Sequence, residues 1–535
     1  MKLDIFDTTL RDGEQGVGVE FSPDDRRRVI HALDDLGVSC IEAGMITDEA
    51  SAAFFESLRH EKLNCARLAV FTRTARVGTD PASDPLLVMA ANAPVPVAVI
   101  YGKAWLYQVT DVLGTTADEN LRLIRESIRI LREAGKEVVF DAEHFFSGWA
   151  DSPEYAMRVA GEAFSAGASA VVLCDTNGGM LPDVVGMVTG AVAKAHPGKK
   201  IGIHCHNDMG MAAAATVSAV LAGAAHIQGT VSGIGERCGN ADLCTLIPVL
   251  QIKLGFDCVG DRIAGLTKAA RTVCDAANLS FDESAPFVGG YAFTHKAGSH
   301  IDGVKKDPAS FEHMDPAAVG NIRNTVVSGL SGRAAILDRV RSLIPDGPLS
   351  KDDDRVVRAA AMIREREAAG FDYEDAGASL TLALEETLGR RRRFFELLSL
   401  KVVIDEPTDA PAEDPTKACG SGSGSGTLFS ASAVIKIAVG EREYLTAGEG
   451  NGPVNAIDEA LRRALTRFYP ELESVRLTDY RVRVLDSRAT ASAVRVAIES
   501  TDGRTVWRTV GVSSDIINAS WQALRDSVEY ALARR

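Results

Sequence analysis

The sequence lacks paired cysteines, long apolar runs and an excess of positive charge. Its nine cysteines are scattered with no C-x-x-C pair, which favours free thiols in a reducing compartment over a disulfide framework. No run approaches the ~18 apolar residues of a membrane span, and no signal peptide precedes the first apolar segment. The net charge of −15 disfavours binding to nucleic acid or anionic membranes. We therefore expect a cytoplasmic protein.

Short apolar runs alternating with amphipathic segments dominate the first half of the chain. We predict strands at these runs: 3–9, 38–44, 67–72, 97–102, 137–143, 170–177, 200–208 and 225–233. Eight strands alternating with helices such as Asp24–Leu36 and Asp118–Ala134 predict an α/β fold of the (β/α)8 TIM-barrel type. A doubly wound open sheet is the competing architecture. In a barrel, chemistry collects at the C-terminal ends of the strands.

The rest of the chain predicts further domains after a catalytic barrel at residues 1–275. A helix-rich subdomain is expected at 276–404 and a flexible linker, rich in Gly and Ser, at 405–427. Residues 428–535 contain an internal repeat: the segment from Gly448 to Leu461 aligns with the segment from Gly511 to Leu524. This repeat predicts a small duplicated α+β domain, which we interpret as a binding or assembly module.

Two histidines close to the end of the seventh predicted strand suggest a metal site. His204 and His206 are two residues apart, so they share one face of a strand. Asp12 follows the first strand and Asn240 follows the eighth, which would place both at the same end of the barrel. Oxygen ligands admit Mg²⁺ or Mn²⁺, and imidazoles also admit Zn²⁺ or Co²⁺. A pair of buried, hydrogen-bonded structural histidines is the alternative.

Three further residues suit a reaction at a metal-bound 2-oxo acid. The Arg11 guanidinium could stabilise the alkoxide that forms when the ketone is attacked, although a surface salt bridge is its alternative role. Glu143 and His300 are candidates for removing a proton from a thioester methyl. Taken alone, each of these two could equally be structural.

Together these residues resemble the 2-isopropylmalate/homocitrate/citramalate synthase family. The resemblance rests on Asp-Thr-Thr-Leu-Arg-Asp-Gly-Glu-Gln at 7–15, His-Cys-His-Asn-Asp at 204–208 and Gly-Ile-Gly-Glu-Arg-Cys-Gly-Asn at 233–240. The segments 141–148, 174–179, 319–321 and 328–332 resemble the longer type of (R)-citramalate synthase most closely. The duplicated C-terminal region looks like the family's regulatory domain, so the resemblance covers nearly the whole chain.

The resemblance implies a Claisen-type condensation of acetyl-CoA with a 2-oxo acid, followed by thioester hydrolysis. It implies metal binding by Asp12, His204, His206 and Asn240. Further implied roles are ketone polarisation by Arg11, proton transfer by Glu143 with His300, and contact of Thr176 with the oxo-acid carboxylate. It also implies a homodimer or larger homo-oligomer, in which His300 would serve the partner's barrel, and an amino-acid effector at the C-terminal domain.

The identity of the oxo acid is left open by the sequence. Pyruvate is the expected acceptor, but strands 4 and 5 would present Tyr101 and Asp141 to it rather than aliphatic side chains. Phe311 stands where the resemblance leads us to expect a tyrosine. These features keep 2-oxoisovalerate, phenylpyruvate, phosphonopyruvate and 2-oxoglutarate open as alternatives. A metal-dependent aldolase or lyase and a non-catalytic sensor are the alternatives from other functional classes.

Overall fold

The computed structural model describes residues 1–325, 333–344, 349–405, 430–485, 492–503 and 505–534. The stretch 328–332 and residues 406–427 of the predicted linker lie outside these ranges. The chain divides into two compact units: residues 1–294 with 312–324, and residues 295–311 with 325–535. Within the described residues, no helix has the length and apolar character needed to cross a bilayer.

Eight parallel strands close into a barrel in the first unit, which confirms the predicted fold class. They are β1 (Asp4–Asp7), β2 (Cys40–Met45), β3 (Arg67–Arg73), β4 (Val97–Lys103), β5 (Glu137–Glu143), β6 (Ala170–Asp175), β7 (Lys200–Cys205) and β8 (His226–Gly229). The strands are almost entirely buried because side chains on one face fill the barrel and those on the other face meet helices.

Helices surround this barrel. They are α1 (Pro23–Leu36), α2 (Glu49–Ser57), α3 (Pro85–Asn92), α4 (Ala117–Glu133), α5 (Phe145–Asp151), α6 (Pro153–Ala166), α7 (Pro182–Ala195), α8 (Ala212–Leu221), α9 (Leu243–Pro248) and α10 (Leu266–Ala276). Local signals define their ends: the Ser22 hydroxyl accepts the Asp25 N–H at the start of α1, and Gly37 ends that helix at φ 89°.

The barrel has two apolar layers. The outer layer fills the space between strands and helices, with Ile5, Ile100, Phe140 and Ile203 among its buried side chains. The inner layer lies inside the barrel and contains Phe6, Cys40, Ala69, Phe71, Val97, Val99, Val139, Ala170, Val172 and Cys174. The inner layer fills the barrel interior, and polar residues follow it at the C-terminal ends of the strands.

The second unit begins with helices and ends with the duplicated region. Short strands β9 (Thr294–His295) and β10 (Asn324–Thr325) lie where the chain passes from one unit to the other. The helices are α11 (Gly298–Lys306), α12 (Arg333–Leu343), α13 (Asp354–Ala368) and α14 (Gly377–Thr387). Side chains of α12, α13 and α14 share one apolar core, as expected for a helix-rich subdomain.

The duplication appears as two copies of three antiparallel strands followed by a helix. The first copy is β11 (Glu396–Asp405), β12 (Ser430–Val439), β13 (Arg442–Gly450) and α15 (Pro453–Leu465). The second is β14 (Arg476–Val484), β15 (Val494–Thr501), β16 (Val506–Ser513) and α16 (Ile516–Ala533). Equivalent hydrogen bonds join strand and helix in both copies, from Thr446 Oγ1 to Ala460 O at 2.9 Å and from Thr509 Oγ1 to Ala523 O at 2.8 Å.

Glycines explain how closely each helix approaches its sheet. A Cβ on Gly448 would lie 2.7 Å from the carbonyl oxygen of Ala456, and a Cβ on Gly511 would lie 2.0 Å from that of Ala519. Real Cβ atoms do not approach backbone so closely, so both positions require glycine. The two contacts are 63 residues apart in sequence, which is the offset of the predicted repeat.

Candidate functional site

Arg11 and Asp12 lie in a turn after β1 rather than on the strand itself. The strand was predicted to run to residue 9 but ends at Asp7. The turn replaces it because the Thr8 carbonyl accepts the N–H groups of Arg11 at 3.1 Å and Asp12 at 2.8 Å. Thr9 donates its N–H and its hydroxyl to the Asp7 carboxylate. These bonds direct the two functional side chains toward the centre of the barrel mouth.

The Gly233–Asn240 motif folds back so that Asn240 joins the two histidines. Asn240 forms an isolated antiparallel bridge with His206, and its N–H donates to the Gly233 carbonyl at 2.9 Å. Gly239 has φ 84°, and a Cβ there would lie 1.9 Å from the Gly233 oxygen. The glycines of the motif are therefore needed to close this loop.

Asp12, His204, His206 and Asn240 form one buried cluster. His204 Nε2 lies 3.4 Å from Asp12 Oδ2 and 3.4 Å from His206 Nε2. Asn240 Nδ2 donates to Asp12 Oδ1 at 2.9 Å. One ligand atom from each of Asp12, His204 and His206 lies within 4.8 Å of the other two. Among the described residues, this is the only group of His, Cys, Asp or Glu with that geometry.

The donor set fits a divalent cation. His206 Nδ1 and Asn240 Oδ1 are buried without a hydrogen-bond partner, which is costly unless another group satisfies them. Burial lowers the pKa of His204 to about 3, so its imidazole is neutral. Burial alone would raise the pKa of Asp12, but the Arg11 guanidinium beside it holds that pKa below the usual range. Neutral imidazoles and an ionised carboxylate are the forms that bind metal.

Arg11 is fixed in place by two carboxylates and an aromatic ring. Its Nε donates to Glu42 Oε2 and its Nη1 to Asp12 Oδ2, both at 2.6 Å. Its guanidinium carbon lies 4.0 Å from the centre of the Phe71 ring. Burial would lower the pKa of Arg11, but Glu42 and Asp12 raise it above its ordinary value. The side chain therefore holds a permanent positive charge next to the candidate metal ligands.

Glu143 belongs to a group at the ends of β4, β5 and β6. Lys103 Nζ lies 2.5 Å from Glu143 Oε2, and His144 Nε2 lies 3.9 Å from Glu143 Oε1. The backbone N–H of His144 donates to Thr176 Oγ1 at 2.8 Å. The Thr176 hydroxyl proton is therefore available to another acceptor. His144 has φ 60°, an uncommon conformation for a residue with a side chain.

Tyr101 and Asp141 lie at different depths. Tyr101 is half-buried, and its ring stacks on Phe71 with 5.2 Å between ring centres. Asp141 is 4% exposed and accepts a hydrogen bond from Gln228 Nε2 at 2.9 Å. Burial raises the pKa of Asp141 well above its ordinary value. Asp141 is thus held by a protein partner inside the barrel.

His300 lies in the second unit, on α11. Its exposed side chain stacks on the Phe311 ring, with 4.2 Å between ring centres and 26° between ring planes. The residue expected to be tyrosine is therefore a ring partner of the proposed proton-transfer histidine. His300 and Asp12 belong to different units of the chain.

Three residues of the site were missed by sequence reasoning: Lys103, His144 and Gln228. A signal existed for Gln228, because His226 and Gln228 are polar, two residues apart, and lie on a short buried strand. The same spacing drew attention to His204 and His206. Lys103 and His144 gave no such signal, since an ion pair or a backbone conformation at a strand end is not visible in one sequence.

Three sequence-family profiles match consecutive parts of the chain. HMGL-like matches residues 2–270, Homocitrate synthase post-HMGL domain-like matches residues 287–367, and LeuA allosteric (dimerisation) domain matches residues 376–532. Together they account for most of its length, in the order barrel, helical region and duplicated region.

Curated relatives extend this similarity over the full length. An (R)-citramalate synthase of Aquifex aeolicus is 40% identical over 100% of this chain and 98% of its own. Another, of Geobacter sulfurreducens, is 40% identical over 99% of this chain and 97% of its own. Among solved structures, an HMG-CoA lyase of Bacillus subtilis aligns with a TM-score of 0.46 and 19% identity over 52% of this chain and 95% of that one. That structural similarity is too low to bear on function.

Proposed function

The chain belongs to the HMGL-like family and, within it, to the family of (R)-citramalate synthases, and on that premise we propose that it condenses acetyl-CoA with pyruvate to give citramalate and CoA. The observation that carries the proposal is the buried cluster of Asp12, His204 and His206 beside Arg11. This places candidate ligands for a divalent cation next to a fixed positive charge, as a reaction at a 2-oxo acid requires.

Asp12, His204, His206 and Asn240 would hold the cation, with Mg²⁺ or Mn²⁺ as the first choice because two of the donors are oxygens. A bound cation would polarise the ketone and carboxylate oxygens of the oxo acid. The Arg11 guanidinium stabilises the negative charge that develops on the ketone oxygen as the new carbon–carbon bond forms. Glu42 and Asp12 hold the guanidinium in position for this role.

We assign removal of the acetyl methyl proton to Glu143. Its carboxylate is partly exposed at the barrel mouth and is held by Lys103, so it can reach a bound thioester. The Thr176 hydroxyl, which accepts the His144 N–H, is free to donate its proton to the oxo-acid carboxylate. Tyr101 lines the acceptor side of the pocket. His300 would assist proton transfer in the barrel of a partner subunit.

The duplicated region is proposed to join two chains and to bind an amino-acid effector. Its match to the LeuA allosteric (dimerisation) domain supports a homodimer or a larger homo-oligomer. We assign catalysis to a barrel at residues 1–275 and the helical region to 276–404. A linker at 405–427 would then precede the regulatory module at 428–535.

The decisive test follows CoA thiol release with acetyl-CoA, Mn²⁺ and a panel of 2-oxo acids. We expect release only when all three components are present, and fastest with pyruvate. Asp12→Ala and His204→Ala should abolish release, whereas His31→Ala, which changes an exposed histidine, should not. Preference for a branched, aromatic or phosphonate-bearing acid would keep the chemistry and overturn pyruvate. Pyruvate formed from citramalate without CoA would instead indicate a lyase.

A further inference from the structure

A buried glutamine connects one candidate metal ligand to a carboxyl group below it. Gln228 on β8 is fully buried. Its Oε1 lies 3.0 Å from His204 Nδ1, and its Nε2 donates to Asp141 Oδ1 at 2.9 Å. The three side chains come from β7, β8 and β5, so the connection crosses the interior of the barrel.

The donors and acceptors of the three groups fix the orientation of the Gln228 amide and the position of the proton on His204. The NH₂ end of the Gln228 amide faces Asp141 Oδ1 at 2.9 Å. A carboxyl group keeps an oxygen that accepts this hydrogen bond whether or not it is ionised. The amide oxygen must then face His204, and it can only accept. His204 therefore carries its proton on Nδ1, which leaves the Nε2 lone pair directed at Asp12 and His206, 3.4 Å from an atom of each.

The opposite orientation of the Gln228 amide would prevent His204 from binding a cation through Nε2. With the NH₂ group toward His204, Nδ1 would have to accept and the proton would move to Nε2. A protonated Nε2 has no lone pair for a cation. The Nε2 of His226 lies 3.5 Å from Gln228 Nε2, a contact at the limit of hydrogen bonding and weaker than the one to Asp141.

We propose that Gln228, oriented by Asp141, is a positioning residue that fixes the tautomer and ring direction of His204 for metal binding. The inference rests on the metal site of the proposed function and assigns Asp141 a role inside the barrel rather than in the oxo-acid pocket. Groups that hold a metal ligand in this way commonly change metal affinity about 10–100-fold when they are removed.

The first measurement needs no metal. In the full-length protein labelled with ¹⁵N-histidine, the ring nitrogen shifts should show His204 as the Nδ1–H tautomer. Gln228→Met has a similar side-chain length but cannot hydrogen-bond, so it should release this preference. Gln228→Glu should keep it, because a carboxylate still accepts from Nδ1. A wild-type His204 with its proton on Nε2 would overturn the inference, whether or not the proposed function holds.

The second measurement is Mn²⁺ affinity, followed by electron paramagnetic resonance of the free ion. We expect Gln228→Met to weaken binding about 10–100-fold, with Gln228→Glu within about threefold of wild type. Val97→Ala, an interior barrel substitution at the N-terminal end of β4, should leave affinity unchanged. Wild-type affinity in Gln228→Met would overturn the inference and leave the metal site standing. Absence of Mn²⁺ binding by the wild type would overturn the metal site itself.

Loss of fold is controlled independently. Circular dichroism and the thermal midpoint of each variant establish whether the barrel is intact. If Gln228→Met does not fold, Asp141→Leu removes the anchor of the amide and should weaken Mn²⁺ binding in the same direction. An unaltered affinity in a folded Asp141→Leu protein would contradict the orientation by Asp141.

Discussion

Each unit of the molecule buries one arginine between two carboxylates, yet only one of the two arrangements has the chemistry of an active site. In the barrel, Arg11 contacts Asp12 and Glu42, both at 2.6 Å. In the second unit, Arg391 contacts the buried carboxylates of Asp526 at 3.0 Å and Glu529 at 2.5 Å, and at 3.3 Å it also contacts Glu386, which is exposed. The burial is similar, and each triad raises the pKa of its arginine. In each triad one carboxylate oxygen has no hydrogen-bond partner: Glu42 Oε1 in the barrel and Glu529 Oε1 in the second unit.

The neighbours of the triads make the difference. Asp526 accepts the Ser379 hydroxyl, and the Ser379 oxygen accepts the N–H of Val510. The arginine of the second unit is thus part of a network that joins α14 and α16 to β16. Asp12 instead lies among side chains with unsatisfied atoms, His206 Nδ1 and Asn240 Oδ1. The second triad also has an unsatisfied neighbour, the Nε of Arg525 beside Asp526, but a guanidinium N–H only donates and cannot bind a cation. A buried charge cluster therefore indicates a metal site through the unsatisfied acceptors on neutral side chains around it, not through burial or charge.

The largest expected effect is a loss of activity when the site beside the barrel triad is altered. His206→Ala should lower CoA release at least about a thousandfold, since loss of a metal-assisted polarisation is worth several kcal/mol. Its unfolding free energy should change by only about 1–2 kcal/mol, because His206 Nδ1 has no protein partner and the Nε2 contact with His204 is long, at 3.4 Å. Steady-state kinetics and urea unfolding measure the two quantities. A His206→Ala enzyme with wild-type turnover would contradict the functional distinction between the two triads.

The second prediction is a loss of stability without a change in metal binding. Arg391→Ala leaves the buried Glu529 without its cation and Asp526 with Arg525 alone, and should lower the unfolding free energy by about 3–5 kcal/mol. Mn²⁺ affinity should stay at the wild-type value. Urea unfolding followed by tryptophan fluorescence reports the loss, because Trp507 and Trp521 belong to the core of the same unit.

A double variant checks the cause of that loss. Glu529→Gln removes one of the two charges, so adding it to Arg391→Ala should recover part of the lost stability. No recovery would mean that Arg391 acts through its apolar contacts rather than through its charge.

The smallest expected effect concerns the two copies of the repeat. Gly511→Ala and Gly448→Ala should each destabilise the second unit by roughly 1–3 kcal/mol, because the new methyl group meets backbone of the adjacent helix. The effect should be larger at Gly511, where the approach is 2.0 Å, than at Gly448, where the nearest atom is 2.5 Å away. Gly503→Ala is not a suitable control because its φ is 82°; Gly452→Ala, with open space around the added Cβ, is the matched variant. Equal stability of all three proteins would contradict the close packing.

Much of this architecture could be predicted because its signals are local. Each of the eight strands is a short apolar run, and the repeat is visible as matching residues at a fixed offset. Strand ends were less accurate: β8 was predicted as 225–233 but ends at Gly229. After it, the chain turns back to pair Thr230 with Asp242, which is a tertiary interaction with no local pattern.

The site was predicted unevenly for the same reason. Asp12, His204, His206 and Asn240 belong to recognisable motifs at strand ends, and barrel geometry brings such ends together. Asp141 and Gln228 are 87 residues apart, and Arg391 and Asp526 are 135 apart. Each pair meets through the fold alone, so one sequence without its structure gives no reason to connect the partners. Asp141 therefore drew attention only as a pocket residue.

The backbone of His144 has a consequence for how this chain can vary. A non-glycine residue at φ 60° carries a strain of roughly 1–3 kcal/mol, and glycine or asparagine tolerates that conformation better. A library randomised at this position and selected only for folding should drift toward those two residues. The same library selected for citramalate production should retain histidine if the ring contributes to turnover. The residues recovered at position 144 under the two selections thus distinguish the requirement of the fold from the requirement of the reaction.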